Sequence, residues 1–240
     1  MKIILKIQRF NPESDAHPEY RSYTVDVEPT DRLLDALMHI KRFQDGTLAF
    51  RKSCAHGVCG SDAMRINGKD ALACKTLIQD VAETEGETVV IEPLRHFPVQ
   101  RDLIVDQTSF LNKYRIIKPY LINDEPVAEG ERLQSQEERM AFDDTTNCIL
   151  CSACFSACPV LADRPDFIGP AAIVQAYRFL ADTRDKGFED RLPVLDTPEG
   201  VWPCRNHFEC TKACPRLIKI TKRINQTKKM IQKFHEKQQE

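Results

Sequence analysis

Apolar and polar residues alternate at the start of the chain, with Ile3, Leu5 and Ile7 on one face, which predicts a half-buried strand. Asn11-Pro12 interrupts it, and Tyr23, Val25 and Val27 begin a second alternating run. The period then lengthens. Leu33, Leu34, Leu37 and Ile40 make a helical stripe, and Thr30 is the expected N-cap. From Phe50 to Cys74 glycine and cysteine replace the pattern, and a ligand loop followed by a short hairpin is expected there. Thr88-Val89-Val90-Ile91 reads as one more strand. Strands, one helix and a loop within this stretch predict a small α+β module.

The pattern changes after Pro98. Acidic and polar residues dominate from Asp124 to Asp144, as in a surface excursion. Gly169-Pro170 opens a helix whose Ile173, Ala176, Tyr177 and Leu180 share a face, with Pro170 suited to the first turn. We therefore expect two domains, 1–105 and 106–240, joined near residues 98–110.

Composition narrows the chemistry. The 240 residues carry a net charge of -2, which gives no reason to expect a nucleic-acid partner. No apolar run reaches the roughly 18 residues of a membrane span. No signal-peptide pattern opens the chain. Ten cysteines, tightly clustered, suit metal-bound thiolates in a reducing compartment better than a disulfide scaffold.

Those cysteines fall into three groups. Cys148, Cys151, Cys154 and Cys158-Pro159 reproduce the bacterial ferredoxin run, whose fourth cysteine serves a different cluster. The same rule assigns Cys214 to complete a [4Fe–4S] site with Cys148, Cys151 and Cys154. It leaves Cys158 with Cys204 and Cys210. In this second run His207 stands where the second ligand belongs, so three thiolates and an empty corner predict a [3Fe–4S] centre. His207 as a fourth ligand is the competing reading. The N-terminal group, Cys54, Cys59, Asp62 and the distant Cys74, follows plant-type [2Fe–2S] spacing with a carboxylate in the third slot. A structural zinc loop is the alternative there, although zinc favours paired C-x2-C knuckles.

Taken with Arg51–Asp62, Arg101–Asp106, Ile117–Tyr120 and Phe167–Ala172, these groups make the chain resemble the iron–sulfur subunit of the succinate dehydrogenase/fumarate reductase (complex II) family, from Ile3 to about Lys228. The resemblance implies a β-grasp plant-type ferredoxin-like domain followed by an α-helical bacterial ferredoxin-like domain. It implies electron transfer from a flavoprotein subunit carrying FAD, through the three centres, to a membrane quinone. It further implies one or more membrane anchor subunits, cytochrome b among the candidates, and a peripheral position on the cytoplasmic side of the inner (plasma) membrane. Some family members fill the position of Asp62 with aspartate. Pro159 and Lys228 match positions around the quinone, whereas the tryptophan that some members carry shortly after Cys158-Pro159 is missing. Trp202, beside the third group, is placed to pack against cluster or quinone, or as a core aromatic at a subunit interface. Lys228 reads equally as one cation of a basic face that includes Lys219, Lys222, Arg223, Lys229, Lys233 and Lys237. A quinol:fumarate reductase subunit and a soluble ferredoxin-like carrier for another flavoenzyme are the rival functions.

Overall fold

The computed structural model describes residues 1–127 and 130–239. The chain forms two compact units: Met1–Gln107 together with Ile149–Ala157, and Thr108–Cys148 together with the chain from Cys158 onward. The strands are β1 (Lys2–Arg9), β2 (Glu19–Asp26), β3 (Ala63–Ile66), β4 (Lys69–Leu72), β5 (Thr88–Glu92), β6 (Val99–Arg101) and β7 (Ile104–Val105). The helices are α1 (Leu33–Phe43), α2 (Thr108–Ile116), α3 (Gln136–Met140), α4 (Ala153–Ser156), α5 (Val160–Asp163), α6 (Pro170–Leu180), α7 (Phe188–Leu195), α8 (Glu209–Lys212) and α9 (Ile220–Gln239).

In the first unit five strands line up as β2-β1-β5-β3-β4, with β1 antiparallel to β2 and parallel to β5. The alternation in β1 buries Ile3, Leu5 and Ile7 completely, and α1 lays Leu33, Leu37 and Ile40 into the same core. This mixed sheet with one helix packed on it is a β-grasp arrangement. The hairpin β3–β4 turns at Asn67-Gly68, both with positive φ (47° and 78°), as a tight two-residue hairpin requires. The helix begins later than the sequence predicts. Thr30 is not the N-cap; Arg32 is, and its backbone N–H donates to Asp35 at 3.3 Å. The reason is tertiary: Asp31 O accepts from Ile78 N and Arg32 bridges to Leu77, which keeps this stretch extended.

In the second unit α6 packs along α9 and against α2. Arg191 on α7 is fully buried, and its guanidinium is satisfied by Asp185 (2.7 Å) and by the carbonyls of Ile117 and Tyr120. Arg223 does not belong to the exposed basic face of α9. It is buried, paired with Asp144 and stacked 5.0 Å from the Tyr177 ring centre, because this acidic partner in the short turn Asp143–Asn147 draws it inward. Lys219, Lys222, Lys229, Lys233 and Lys237 are exposed. Among the described residues no helix is long and apolar enough to cross a membrane.

Candidate metal centres

The first donor group sits on a loop fixed at both ends. Asp102 accepts from Ala49 N (2.8 Å) and Phe10 N (2.9 Å), which ties the start of the loop to the end of β1. Further along, Arg32 Nη1 donates to Ala55 O at 2.8 Å. Ala55, Gly57 and Gly60 all have positive φ (57°, 72° and 69°), and this coils the backbone so that its amides point inward. The amides of His56 and Cys59 each donate to Cys54 Sγ at 3.3 Å. Led by His56, these backbone donors pull the Cys54 thiol down to about 6, which favours the thiolate that a metal requires.

Asp62 stands just before β3 and is buried. Its Oδ2 accepts from Cys74 N at 2.7 Å, while Oδ1 is buried with no hydrogen-bond partner. A buried carboxylate oxygen with an unused lone pair is costly unless something positive meets it. Cys74 is buried against the same carboxylate, and burial first, then Asp62, pushes its thiol up to about 12. Three sulfurs and one orphaned oxygen fit a binuclear centre. Among the described residues no three His, Cys, Asp or Glu side chains converge closely enough for a single ion. An iron–sulfur cluster does not need that convergence, because inorganic sulfide fills its middle and the protein donors spread over its corners.

The two later cysteine runs repeat one backbone shape. Leu150 and Ser152 flank Cys151 with φ of 52° and 65°; Asn206 and Phe208 flank His207 with φ of 60° and 64°. Each loop leads into a four-residue helix, α4 carrying Cys154 and α8 carrying Cys210. His207 therefore occupies the structural counterpart of Cys151, although it is exposed where Cys151 is buried. Of the donors assigned to the middle group, Cys151 and Cys154 are buried in the first unit; in the second, Cys214 is buried and Cys148 half-buried. None of the ten cysteines is in a disulfide.

Cys158, Cys204 and Cys210 come together in the second unit, lining one pocket with Phe167 and Ile224. Burial pushes the Cys210 thiol up to about 11 and raises that of Cys158. Thr221 Oγ1 lies 3.6 Å from Cys210 Sγ and is itself oriented by Thr211 at 3.0 Å. No spacing rule in the sequence points to Thr221.

The quinone candidates lie nearby. Pro159 and Trp202 line a cavity of about 490 Å³ with Arg164, Arg205 and His207. Trp202 is 37 % exposed on this chain and donates from Nε1 to Asp196 at 2.8 Å. Lys228 is not on the cavity wall. Its Nζ donates to Cys204 O at 2.7 Å and lies 6.0 Å from the Trp202 ring centre. Arg205 escaped the sequence reading, although its place beside Cys204 is a usable signal.

Comparison with known proteins bears on this arrangement. Residues 4–112 match the family model of a 2Fe-2S iron-sulfur cluster binding domain, and residues 144–218 that of a 4Fe-4S dicluster domain. The succinate dehydrogenase iron-sulfur subunit of Coxiella burnetii is 44% identical over 221 residues, covering 91% of this chain and 92% of the relative. The chain belongs to the iron–sulfur subunit family of succinate dehydrogenase and fumarate reductase. A fumarate reductase iron-sulfur subunit of Mycobacterium tuberculosis is 43% identical over 217 residues, covering 90% of this chain and 87% of that one. In structure the chain is similar to one in the Mycobacterium smegmatis Sdh1 complex in the apo form, with a TM-score of 0.86, 29% identity, and 96% and 95% of the two chains covered. Members of this family are electron-transfer subunits of oxidoreductase complexes, and so is this chain. A 2Fe-2S domain followed by a dicluster domain bears out the fold that the family resemblance implies.

Proposed function

We propose that this chain is the electron-transfer subunit of a succinate:quinone oxidoreductase, passing electrons singly from an FAD-bearing flavoprotein through [2Fe–2S], [4Fe–4S] and [3Fe–4S] centres to a membrane quinone. When bound, such clusters supply one-electron steps between a two-electron flavin and the quinone. The chain's own residues hold and tune them. Cys54, Cys59, Asp62 and Cys74 hold the first; Cys148, Cys151, Cys154 and Cys214 the second; Cys158, Cys204 and Cys210 the third. Along the chain they fall in two domains, 1–105 and 106–240, although the segment Ile149–Ala157 packs in the first compact unit.

The observation that carries the quinone half of this reading is the cavity beside the third thiol group. Its volume, about 490 Å³, falls in the range of small-molecule sites, and Pro159 belongs both to it and to the thiol pocket. Trp202 supplies an apolar wall. Lys228 braces that wall through Cys204 O and Trp202, and so acts as a positioning residue and not as a direct quinone ligand. The exposed lysines of α9 favour an anchored position on the cytoplasmic face of the inner membrane, against an anchor subunit or anionic headgroups.

The test is purification of the complex from membranes. Roughly nine irons per polypeptide, a near-isotropic three-iron signal in the oxidised state, and succinate-driven quinone reduction faster than quinol-driven fumarate reduction are the expected results. The opposite ranking of rates would make it a fumarate reductase subunit. Recovery in the soluble fraction with no flavoprotein would make it a free carrier.

A further inference from the structure

Gly60 follows Cys59, a donor of the first centre, and its backbone lies against Cys151, a donor of the second. A Cβ built at Gly60 would meet Cys151 Cβ at 2.6 Å, Cys151 Cα at 2.9 Å and Ile149 O at 3.2 Å. Both segments belong to the first unit, where Cys151 and Ala153 join the β-grasp core. These neighbours are main chain or the first side-chain atom, so they have no flexible end with which to give way. Gly57, three residues earlier, makes a natural contrast. It has the same positive φ (72° against 69°), but its added Cβ would meet only the aliphatic stem of Lys75, an exposed side chain free to move.

We propose that Gly60 is a spacing residue for electron transfer: the missing side chain lets the first cluster loop close onto the Cys151 loop and fixes the gap between the first and second centres. Relieving the contact to the 3.4 Å at which ordinary van der Waals contact begins needs a displacement approaching an ångström. Coupling between two redox centres falls steeply with separation, so a shift of this size registers. The proposal rests on assigning Cys59 and Cys151 to two different centres. The opposite side of the contact has its own fastening, since Gln107 Nε2 donates to Ser152 Oγ at 3.1 Å.

The test uses the assembled complex and reads spin relaxation. In the wild type, reduction of the second centre is expected to speed relaxation of the reduced [2Fe–2S] EPR signal. Wild-type protein lacking iron would overturn the cluster assignment itself, separately from the spacing. With iron present, Gly60→Ala is expected to keep the first centre and lose much of the relaxation enhancement, or lose the second centre outright, while Gly57→Ala keeps both. Unchanged enhancement in Gly60→Ala, or equal damage in the two variants, would overturn the proposal, because backbone strain common to both would then explain everything. Should Gly60→Ala fail to accumulate, Gln107→Ala loosens the Cys151 loop from the other side without adding an atom at residue 60. It is expected to weaken the enhancement, and no change there would overturn the proposal.

Discussion

The first donor loop and the third donor pocket hold three thiols each, and Cys54 in the one and Cys210 in the other are prepared in opposite ways. In the loop, backbone amides converge on Cys54 and draw its thiol down to about 6. In the pocket, burial pushes Cys210 up to about 11, with the Thr221 and Thr211 hydroxyls working against it. At Cys54 fixed backbone dipoles stabilise negative charge, whereas burial resists it at Cys210 and Cys158, as it does at Cys74 of the first group. A carboxylate completes the first set. In the third, the corresponding position holds an exposed imidazole, His207. Dipoles suit a site near the surface that must receive electrons, and a dry pocket suits one beside an apolar acceptor.

The largest test of this contrast is loss of one buried thiol. Cys158→Ser is expected to abolish the third centre and its near-isotropic signal, and to reduce quinone reduction by at least about a hundredfold, some 2.7 kcal/mol of barrier. The exposed Cys59→Ser is expected to retain a binuclear centre with shifted EPR features, since a surface hydroxyl is readily accommodated. EPR of both variants in whole complex decides it; equal loss would erase the difference between loop and pocket.

His207→Cys sharpens the comparison next. Because residues 206–208 repeat the backbone of 150–152, a thiol at 207 is presented as Cys151 is. The expected outcome is a four-iron centre in place of the three-iron one, read as one additional iron per polypeptide and disappearance of the near-isotropic signal. Retention of that signal would show that the shared dihedral angles do not bring residue 207 to the cluster.

Lys228→Leu follows with a smaller effect. Removing the ammonium frees Cys204 O and the Trp202 ring, and quinone reduction is expected to fall roughly tenfold, about 1.4 kcal/mol. Reduction of the first centre by succinate should stay near normal. Lys228→Arg, which restores a cation and donors, should recover part of the loss. An equal fall at both steps would place Lys228 outside the quinone path.

The candidate donors can be read from the sequence because cluster ligands follow spacing rules: the cysteine assignments rest on neighbours a few residues apart, on the distant fourth position of plant-type spacing for Cys74, or on the cross-over rule. The strands of the β-grasp core were legible for the same reason, as period-two alternation survives without tertiary information. What escaped is non-local. Arg9 is buried with Tyr23, Asp45 and Asp102, partners spread over most of the first unit, and no periodicity announces that network. The late start of α1 depends on Ile78 and Leu77. Gly60 signals freedom of φ from sequence alone, but its contact with Cys151 joins residues about ninety positions apart and had no local trace. Positive φ at Phe208 and Leu150 contradicts their residue types, and is a tertiary imposition on the ligand loops.

The smallest expected effects come from two buried carboxylates that respond to pH with opposite sign. For Asp182, in the second unit, burial works to raise the carboxyl, but bonds from Arg184 and Arg178 outweigh it and hold the group well below its ordinary value. Its charge therefore stabilises the fold above the unfolded value of 3.8, and that contribution is lost as pH falls through the lower folded value. For Asp70, in the first unit, burial dominates and raises the carboxyl despite a hydrogen bond from Ser156 and the nearby Arg95. The folded state then holds its proton more tightly than the unfolded chain. Its stabilising contribution is full in acid and disappears as pH rises through the raised value. At neutral pH Asp182→Asn is expected to cost about 2 kcal/mol, the scale of hydrogen bonds to a charged group, whereas Asp70→Asn, which keeps an acceptor for Ser156, should cost less than about 0.5 kcal/mol. Thermal melts of the two variants against wild type, taken from neutral pH down to about pH 2, below the unfolded carboxylate value, read this directly. The Asp182→Asn deficit should narrow towards acid, and Asp70→Asn should lose ground to wild type over the same range. Parallel curves would mean that both carboxylates keep their ordinary titration and that the balance of burial against charged partners does not differ between them.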